Sequence, residues 1–260
     1  MKPVILYHAS CMDGSAAALI ASDAHPGAEL IPIQYGDALP RPLKGEHIII
    51  VDFSFKRELM STLIEESASL LCLDHHKTAA EELDGLPGCE FDMNRSGARM
   101  AWDRWGKGEP PWWVRFTEDR DLWRWVLPRS KEVNASLRSY GLGVDDLRQV
   151  IAADLSLGAH IQMGESILRY QRQVIDQHKR NAEVKELLGH RVPVVNATTL
   201  FSEIVGELAE GHLFAASYFV KSNGERVYQL RSKAPDGFDV GSLARSVGGG
   251  GHKHASGFTK

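Results

Sequence analysis

The sequence predicts an α/β protein with an N-terminal, mostly parallel-sheet domain, a helical linker and a smaller C-terminal α/β domain. Three observations predict it. Strand-like and helix-like segments alternate through residues 3–76. A polar, proline-free stretch of helical character follows from about residue 155 to 188. Beyond it the composition changes, and short apolar runs alternate with short helical ones. The boundaries implied are 1–155, 156–185 and 186–260.

Each element has its own reason. PVILYH (3–8) reads as a buried strand, and GSAAALIASDA (14–24) as a helix of small residues able to pack tightly on a sheet. AELIPIQY (28–35) and HIIIVDF (47–53) are strands by their Ile and Val content. KRELMSTLIEES (56–67) has helical apolar spacing, and SLLCLDHH (69–76) is a further strand, with Cys72 as a small core residue. SGARMAWDRWG (96–106) and PWWVRFTEDRDLWRW (111–125) are aromatic-rich helices. Their tryptophans read as core and helix packing rather than as a base-stacking platform. Residues 156–189 read as a long connecting helix, continuous or with one break, with His160 and His178 exposed and without a role. In the last part, RVPVVNA (191–197), HLFAASYFV (212–220) and RVYQLRSK (226–233) are strands. SEIVGELAE (202–210) and DVGSLARSV (239–247) are short helices, followed by GGGGHKHASGF (248–258).

Composition narrows the function. The 260 residues are 43% hydrophobic and 25% charged, ordinary for a globular chain. A formal net charge of −4 provides no global basic field for long nucleic acid. An anionic substrate therefore needs a local positive site or metal ions. The three cysteines are odd in number and irregularly spaced, which argues against a disulfide framework and for a reducing cytoplasm. MKPVILYHAS is short for a signal peptide, and no run approaches about 18 apolar residues, so no membrane partner is expected.

The chemistry lies at strand ends. His8, Asp52 and Asp74-His75 fall at or just past the ends of expected strands, and Asp13 lies in the loop after the first. In parallel sheets, ligands bind beyond the carboxyl ends of the strands, so these groups converge on one edge. Carboxylates and neutral imidazoles suit hard or borderline divalent ions. Five fragments carry this pattern: YHASCMDG (7–14), VDFSF (51–55), LDHHKT (73–78), TEDRDLW (117–123) and GGGGHKHASGF (248–258).

In order and local context these fragments resemble DHH-type phosphoesterases with a C-terminal DHHA1 domain. That family includes nanoRNA phosphatases (nanoRNases), cyclic-dinucleotide phosphodiesterases and RecJ exonucleases. The resemblance covers nearly the whole chain, and the combination of DHH, an upstream strand-terminal Asp and a terminal GGGGHxxASGF is specific. It implies an active site with two divalent cations, usually Mn²⁺. His8 and Asp13 match the first motif, and Asp52 matches the aspartate bridging the metals. His75 matches a direct ligand, with Asp74 supporting it. Asp119 matches the last metal aspartate, with Asp121 close enough to take its place. His76 is expected to contact the substrate phosphate or bridging water, or to act as general acid. Cys11 departs from the pattern, standing where many relatives carry an aspartate ligand. A thiolate is softer than a carboxylate and shifts preference toward Zn²⁺ or Fe²⁺, with Mg²⁺ a further alternative to Mn²⁺.

In the C-terminal part, Gly249, Gly250, Gly251, His252 and His254 match the substrate-binding loop, whose backbone N–H groups can cradle an anion. Arg231 matches an arginine that grips a terminal phosphate or base. The resemblance thus implies a metal-dependent phosphoesterase that hydrolyses short oligonucleotides or dinucleotides to nucleoside monophosphates through a metal-activated water. Long duplexes and membranes are not expected partners, and a homodimer is an open expectation because dimers occur among relatives. The alternative is a nucleotide-binding regulatory protein whose metal site Cys11 has weakened. A RecJ-like exonuclease on longer strands fits the short chain less well. A pyrophosphatase of the superfamily lacks the glycine loop.

Overall fold

A computed structural model describes residues 2–233 and 237–260. The chain divides into two compact units, Met1–Leu168 and Arg169–Lys260. The first begins β1 (Val4–His8), α1 (Met12–Ala24), β2 (Glu29–Ile33), β3 (His47–Val51), α2 (Arg57–Glu66) and β4 (Ser69–Asp74). It continues with α3 (Lys77–Glu82), β5 (Cys89–Phe91), α4 (Gly97–Trp105), α5 (Trp112–Asp121), α6 (Ser130–Ser139) and α7 (Val144–Ala152). The next helix, α8 (Leu157–Arg180), belongs to this unit as far as Leu168.

The strands form one parallel sheet in the order β2-β1-β3-β4-β5. Strand alternation sends Ile5, Tyr7, Ile49, Val51 and Leu73 into one core with α1 and α4–α7. Val4, Leu6, Ile48, Ile50 and Cys72 pack on the other face with Met60 and Leu63 of α2. Both faces are covered, which is why these strands read as continuous apolar runs. Helix α1 is buried from Met12 to Ala21. Its alanines at 16, 17, 18 and 21 let α4 lie close, through Ala98 and Ala101. Because the chain order reverses between β1 and β3, the ends of these two strands flank a crevice in which doubly wound sheets hold ligands.

The second unit carries β6 (Glu183–Leu187), β7 (His190–Asn196), α9 (Phe201–Leu208), β8 (Ala215–Val220), β9 (Arg226–Arg231), α10 (Val240–Arg245), β10 (Gly250–Gly251) and β11 (Ala255–Thr259). Its sheet order is β10-β11-β9-β8-β7-β6, with β7 and β8 parallel and the other pairs antiparallel. Val192, Val194, Ala216, Leu230 and Phe258 pack under α10, and Val195 packs with Ile204 of α9 and Ile175 of α8.

Two elements and two histidines depart from the sequence reading. The long helix stops at Arg180, and residues 183–187 form edge strand β6. Leu188 and Gly189, both at positive φ (50° and 80°), close a two-residue turn that pairs Leu187 with His190. The Glu, Lys and Leu of EVKEL suit a helix, but this hairpin overrides them. Helix α5 ends at Asp121 rather than near residue 125, because Trp123 and Trp125 both adopt left-handed backbone at φ 54°. His160 is not exposed. It is 0% accessible, its Nδ1 lies 2.9 Å from Ser136 Oγ, and its ring lies 4.9 Å from Trp112. His178 is half-buried, and its Nδ1 donates to Val174 O.

Burial pulls the His160 pKa below its ordinary 6.5, because desolvation disfavours the imidazolium. The stability this group contributes is therefore fully present above pH 6.5 and is lost as pH falls from there through the lower folded value. Chemical denaturation between pH 8 and 5 should show wild type losing stability relative to His160→Asn as the solution is acidified. Parallel pH profiles for the two proteins would contradict this.

Candidate metal centre

The strand ends of the first unit bring one cluster together. His8 is the last residue of β1, and Cys11 caps the N-terminus of α1 in extended backbone. Asp13 lies in the first turn of α1, and Asp52 directly follows β3. Asp74 ends β4, His75 follows it, and His76 is the N-cap of α3. Asp121 ends α5.

The distances place Asp52 at the centre. His75 Nε2 lies 3.0 Å from Asp52 Oδ1, 3.4 Å from Asp121 Oδ2 and 3.6 Å from Asp13 Oδ2. On the other side, His8 Nδ1 lies 3.5 Å from Asp52 Oδ2. Among the described residues, two groups that lie wholly within the first unit have donor atoms within 4.8 Å of one another: His8, Cys11 and Asp52, and Asp13, Asp52 and His75. Asp52 belongs to both. It is 1% exposed and sits at φ 61°, a left-handed conformation that an aspartate tolerates at a cost of about 1 kcal/mol.

Asp13 is fixed from outside its own helix. Its carboxylate accepts from the N–H of Gly97 (2.5 Å) and of Ala98 (3.0 Å), so it also satisfies the start of α4. No Cβ fits at Gly97, where it would fall 2.6 Å from Asp52 Cβ and 3.0 Å from Asp13 Oδ2. Nor does one fit at Gly14, where it would fall 2.3 Å from His8 O.

Electrostatics show a cluster seeking positive charge. Burial alone would lower the His8 pKa, but Asp52 and Cys11 raise it to about 11. Burial also opposes the charge on His75, yet Asp121, Asp52 and Asp13 hold its pKa well above the ordinary value. Asp52 is drawn well below the carboxylate range, since the neighbouring imidazoles of His75 and His8 outweigh burial. Burial, together with the Asp52 charge, pushes Asp13 well up and Asp121 up. Burial and Asp52 likewise raise the Cys11 thiol. Asp52 Oδ2, His8 Nδ1 and Asp121 Oδ2 are buried atoms with no hydrogen bond among the described residues. Oxygen and nitrogen donors with unsatisfied buried atoms and crowded negative charge fit a divalent cation.

Two expected roles change. Asp119 does not face the cluster: its carboxylate accepts from the N–H of Val126 (2.9 Å) and of Leu127 (3.4 Å) and holds the turn after α5. Asp121, about 200° further round the helix, faces His75 instead. Asp74 supports His76 rather than the His75 ring. Its Oδ1 lies 2.7 Å from His76 Nδ1 and accepts from the backbone N–H of His75 and His76. The Ser54 hydroxyl donates to Asp74 Oδ2. Residues 14, 54 and 97 escaped the sequence reading, although Ser96-Gly97 is a legible helix start. Tyr35 escaped it too: 53% exposed, its ring lies 5.1 Å from His8 and 5.7 Å from His76.

The second unit holds its candidates in its own sheet. Arg231 Nη1 donates to Leu230 O and Nη2 to Ser202 Oγ, and His254 Nδ1 lies 2.9 Å from Ser232 Oγ. The glycine loop differs from the expected anion cradle. The amides of Gly248, Gly249 and His252 donate to Arg245 O, Ala244 O and Ala255 O. Gly250 and Gly251 pair with β11, and a Cβ at Gly249 would fall 2.2 Å from Gly257 O. These glycines end a helix and close a hairpin.

This geometry can be set beside known structures. A pGpG-specific phosphodiesterase, PggH of Vibrio cholerae, superposes with TM-score 0.52 at 16% identity, over 98% of this chain and 92% of that one. The DHH domain of a member of a family of ribosomal proteins superposes with TM-score 0.57 at 13% identity, over 100% and 82%. At these identities the likeness is one of fold: the chain has the fold of that DHH-domain protein. Both the parallel-sheet unit and the second, mixed-sheet unit accord with it. No family model matches the sequence. An uncharacterized protein of Acanthamoeba polyphaga mimivirus is 27% identical over 281 residues, covering 98% of this chain. The chain spans 66% of that relative's length. Among the described residues no helix is long and apolar enough to cross a membrane.

Gly97→Ala should destabilise the protein by about 1–3 kcal/mol, since the added methyl must displace Asp52 or Asp13. A thermal melt checks this, and an unchanged Tm would show that the α1–α4 contact is looser than described.

Proposed function

We propose that this protein is a divalent-metal-dependent phosphoesterase that cleaves short oligonucleotides or dinucleotides to nucleoside monophosphates. One observation carries the reading: a single buried carboxylate, Asp52, is common to two donor groups. In this reading His8 and Cys11 hold one cation, Asp13, His75 and Asp121 hold a second, and Asp52 serves both. Bound there, divalent cations supply charge neutralisation and a water acidic enough to be the nucleophile near neutral pH. Mn²⁺ is the first ion to test, and Cys11 tilts its position toward softer ions.

The chain's own residues do the rest. Asp74 accepts from His76 Nδ1, which fixes the ring's orientation, so a proton or phosphate contact passes through Nε2. Gly97 and Ala98 hold the Asp13 carboxylate in place. Arg231, His252 and His254 are the second unit's candidates for holding substrate phosphate. The fold likeness to a pGpG-specific phosphodiesterase is an analogy, and it supports dinucleotides as first substrates. The three free cysteines fit a reducing cytoplasm. A second reading is a nucleotide-binding protein with little turnover. Cys11 favours it, since a soft thiol stands where the resemblance expects a carboxylate ligand.

With Mn²⁺ and pApA, wild type should release AMP, and Asp52→Asn should lower the rate by more than about 100-fold while remaining folded. AMP release by neither protein, with Mn²⁺, Mg²⁺ or Zn²⁺ and with a cyclic dinucleotide as well, would move the assignment to the binding protein.

Asp121→Asn should weaken Mn²⁺ binding by roughly 10–100-fold in calorimetry. Asp119→Asn should instead lower stability by about 1–3 kcal/mol and leave Mn²⁺ affinity of the folded protein unchanged. The reverse pattern would return the ligand role to Asp119.

A further inference from the structure

The turn that follows α5 has no part in the chemistry above, yet its backbone is unusual. Trp123 and Trp125 both sit at φ 54°, a conformation that L-residues rarely adopt. Asp119 imposes it. Its backbone carbonyl accepts from the N–H of Arg124 and of Trp125, and its carboxylate accepts from Val126 and Leu127. The outcome is an indole held out of the core: Trp123 is 43% exposed, while Trp113 on α5 is buried. Such strain persists where surrounding bonds enforce it, and it clusters at ligand sites.

Charges of both signs lie around it. Residues 122–131 carry Arg124, Arg129 and Lys131; Arg129 pairs with Glu132 and Glu165, and Arg124 Nη1 lies 4.0 Å from Glu118. The Trp125 ring stands edge-on to Trp123 at 5.0 Å, and Lys131 Nζ lies 5.7 Å over Trp125. A hollow of about 270 Å³ opens beside Trp125, lined also by Leu127, Arg129, Ser130, Lys131 and Glu132. Trp123 follows Asp121 by two residues, at most about 7 Å in Cα position. Asp121 itself reaches to 3.4 Å from His75. An exposed aromatic face with Arg124 and Lys131 nearby, two residues from Asp121 of the candidate metal cluster, complements one ligand class. A nucleotide offers both a flat base and an anion.

We infer that Trp123, braced by Trp125 and flanked by Arg124 and Lys131, is a stacking platform for a base of the nucleotide substrate. Its ligand class rests on the phosphoesterase reading. Stacking is tolerant of base identity, so the platform adds affinity for any nucleotide and little discrimination among them. Trp123 is thereby a positioning residue.

The test is calorimetric titration of wild type, Trp123→Ala, Trp123→Leu and Trp123→Phe with AMP and with ribose 5-phosphate, in Mn²⁺. Wild type should bind AMP more tightly than ribose 5-phosphate. Trp123→Ala should weaken AMP binding on the order of tenfold and leave ribose 5-phosphate unchanged. Trp123→Leu, which keeps apolar bulk at the site without a π face, should behave like Trp123→Ala, and Trp123→Phe should retain most of the affinity. Circular dichroism establishes that each variant is folded. Equal affinity of wild type for the two ligands, or AMP binding by both Trp123→Ala and Trp123→Leu within twofold of wild type, overturns the inference. Hydrolysis of pApA by the same wild-type preparation reports separately on the phosphoesterase reading. A Trp123-dependent preference for AMP without turnover would support the platform and count against the enzyme. Turnover with no effect of Trp123 would do the opposite.

Discussion

Everything at the candidate centre depends on one buried carboxylate. Asp52 follows β3 at the point where the strand order reverses, so it faces both the β1 side and the β4 side of the sheet edge. One oxygen lies near His8 and the other near His75. A carboxylate can serve two partners only if its backbone aims it between them, and the left-handed φ of Asp52 provides that aim. The surroundings are shaped to allow it. Gly14 and Gly97 leave no side chain where the carboxylate and its neighbours sit, and the alanine face of α1 lets α4 bring Gly97 near.

The same crowding sets the electrostatics. Asp13, Asp52 and Asp121 meet around one imidazole in a place largely removed from water. Burial raises the free energy of each charge, and like charges raise it further. The imidazoles of His8 and His75 relieve part of this by holding protons far above their ordinary range. Cationic imidazoles and divalent ions compete for the same lone pairs, so metal binding there requires release of those protons. A cation that binds only the folded site stabilises it by mass action.

Helix α5 shows how one short segment divides its labour. Asp119 turns inward to the backbone of the following turn, and Asp121 turns to the cluster. The first shapes the Trp123–Trp125 turn and the second reaches the chemistry, so the turn and the centre share a rigid origin. In the second unit, polar side chains are likewise held by neighbours: Arg231 by Leu230 and Ser202, His254 by Ser232.

Much of this was legible in the sequence. Apolar runs with a strand period, interleaved with small-residue and amphipathic helices, determined a parallel α/β unit. The acids and imidazoles at the strand ends then had to meet, because parallel strands share one carboxyl edge. That is why His8, Asp13, Asp52 and His75 were nameable from the chain alone. What tertiary structure decided were questions of phase and pairing. Two residues of helix rotate a side chain by about 200°, which separates Asp121 from Asp119 although both are aspartates in one short motif. EVKEL became a strand because β7 and a Leu188-Gly189 turn were available to pair it. His160, polar in sequence, is buried because Ser136 and Trp112 surround it. Period and composition act along the chain, whereas the partner of each polar group is set across it, and only the folded structure brings those partners together.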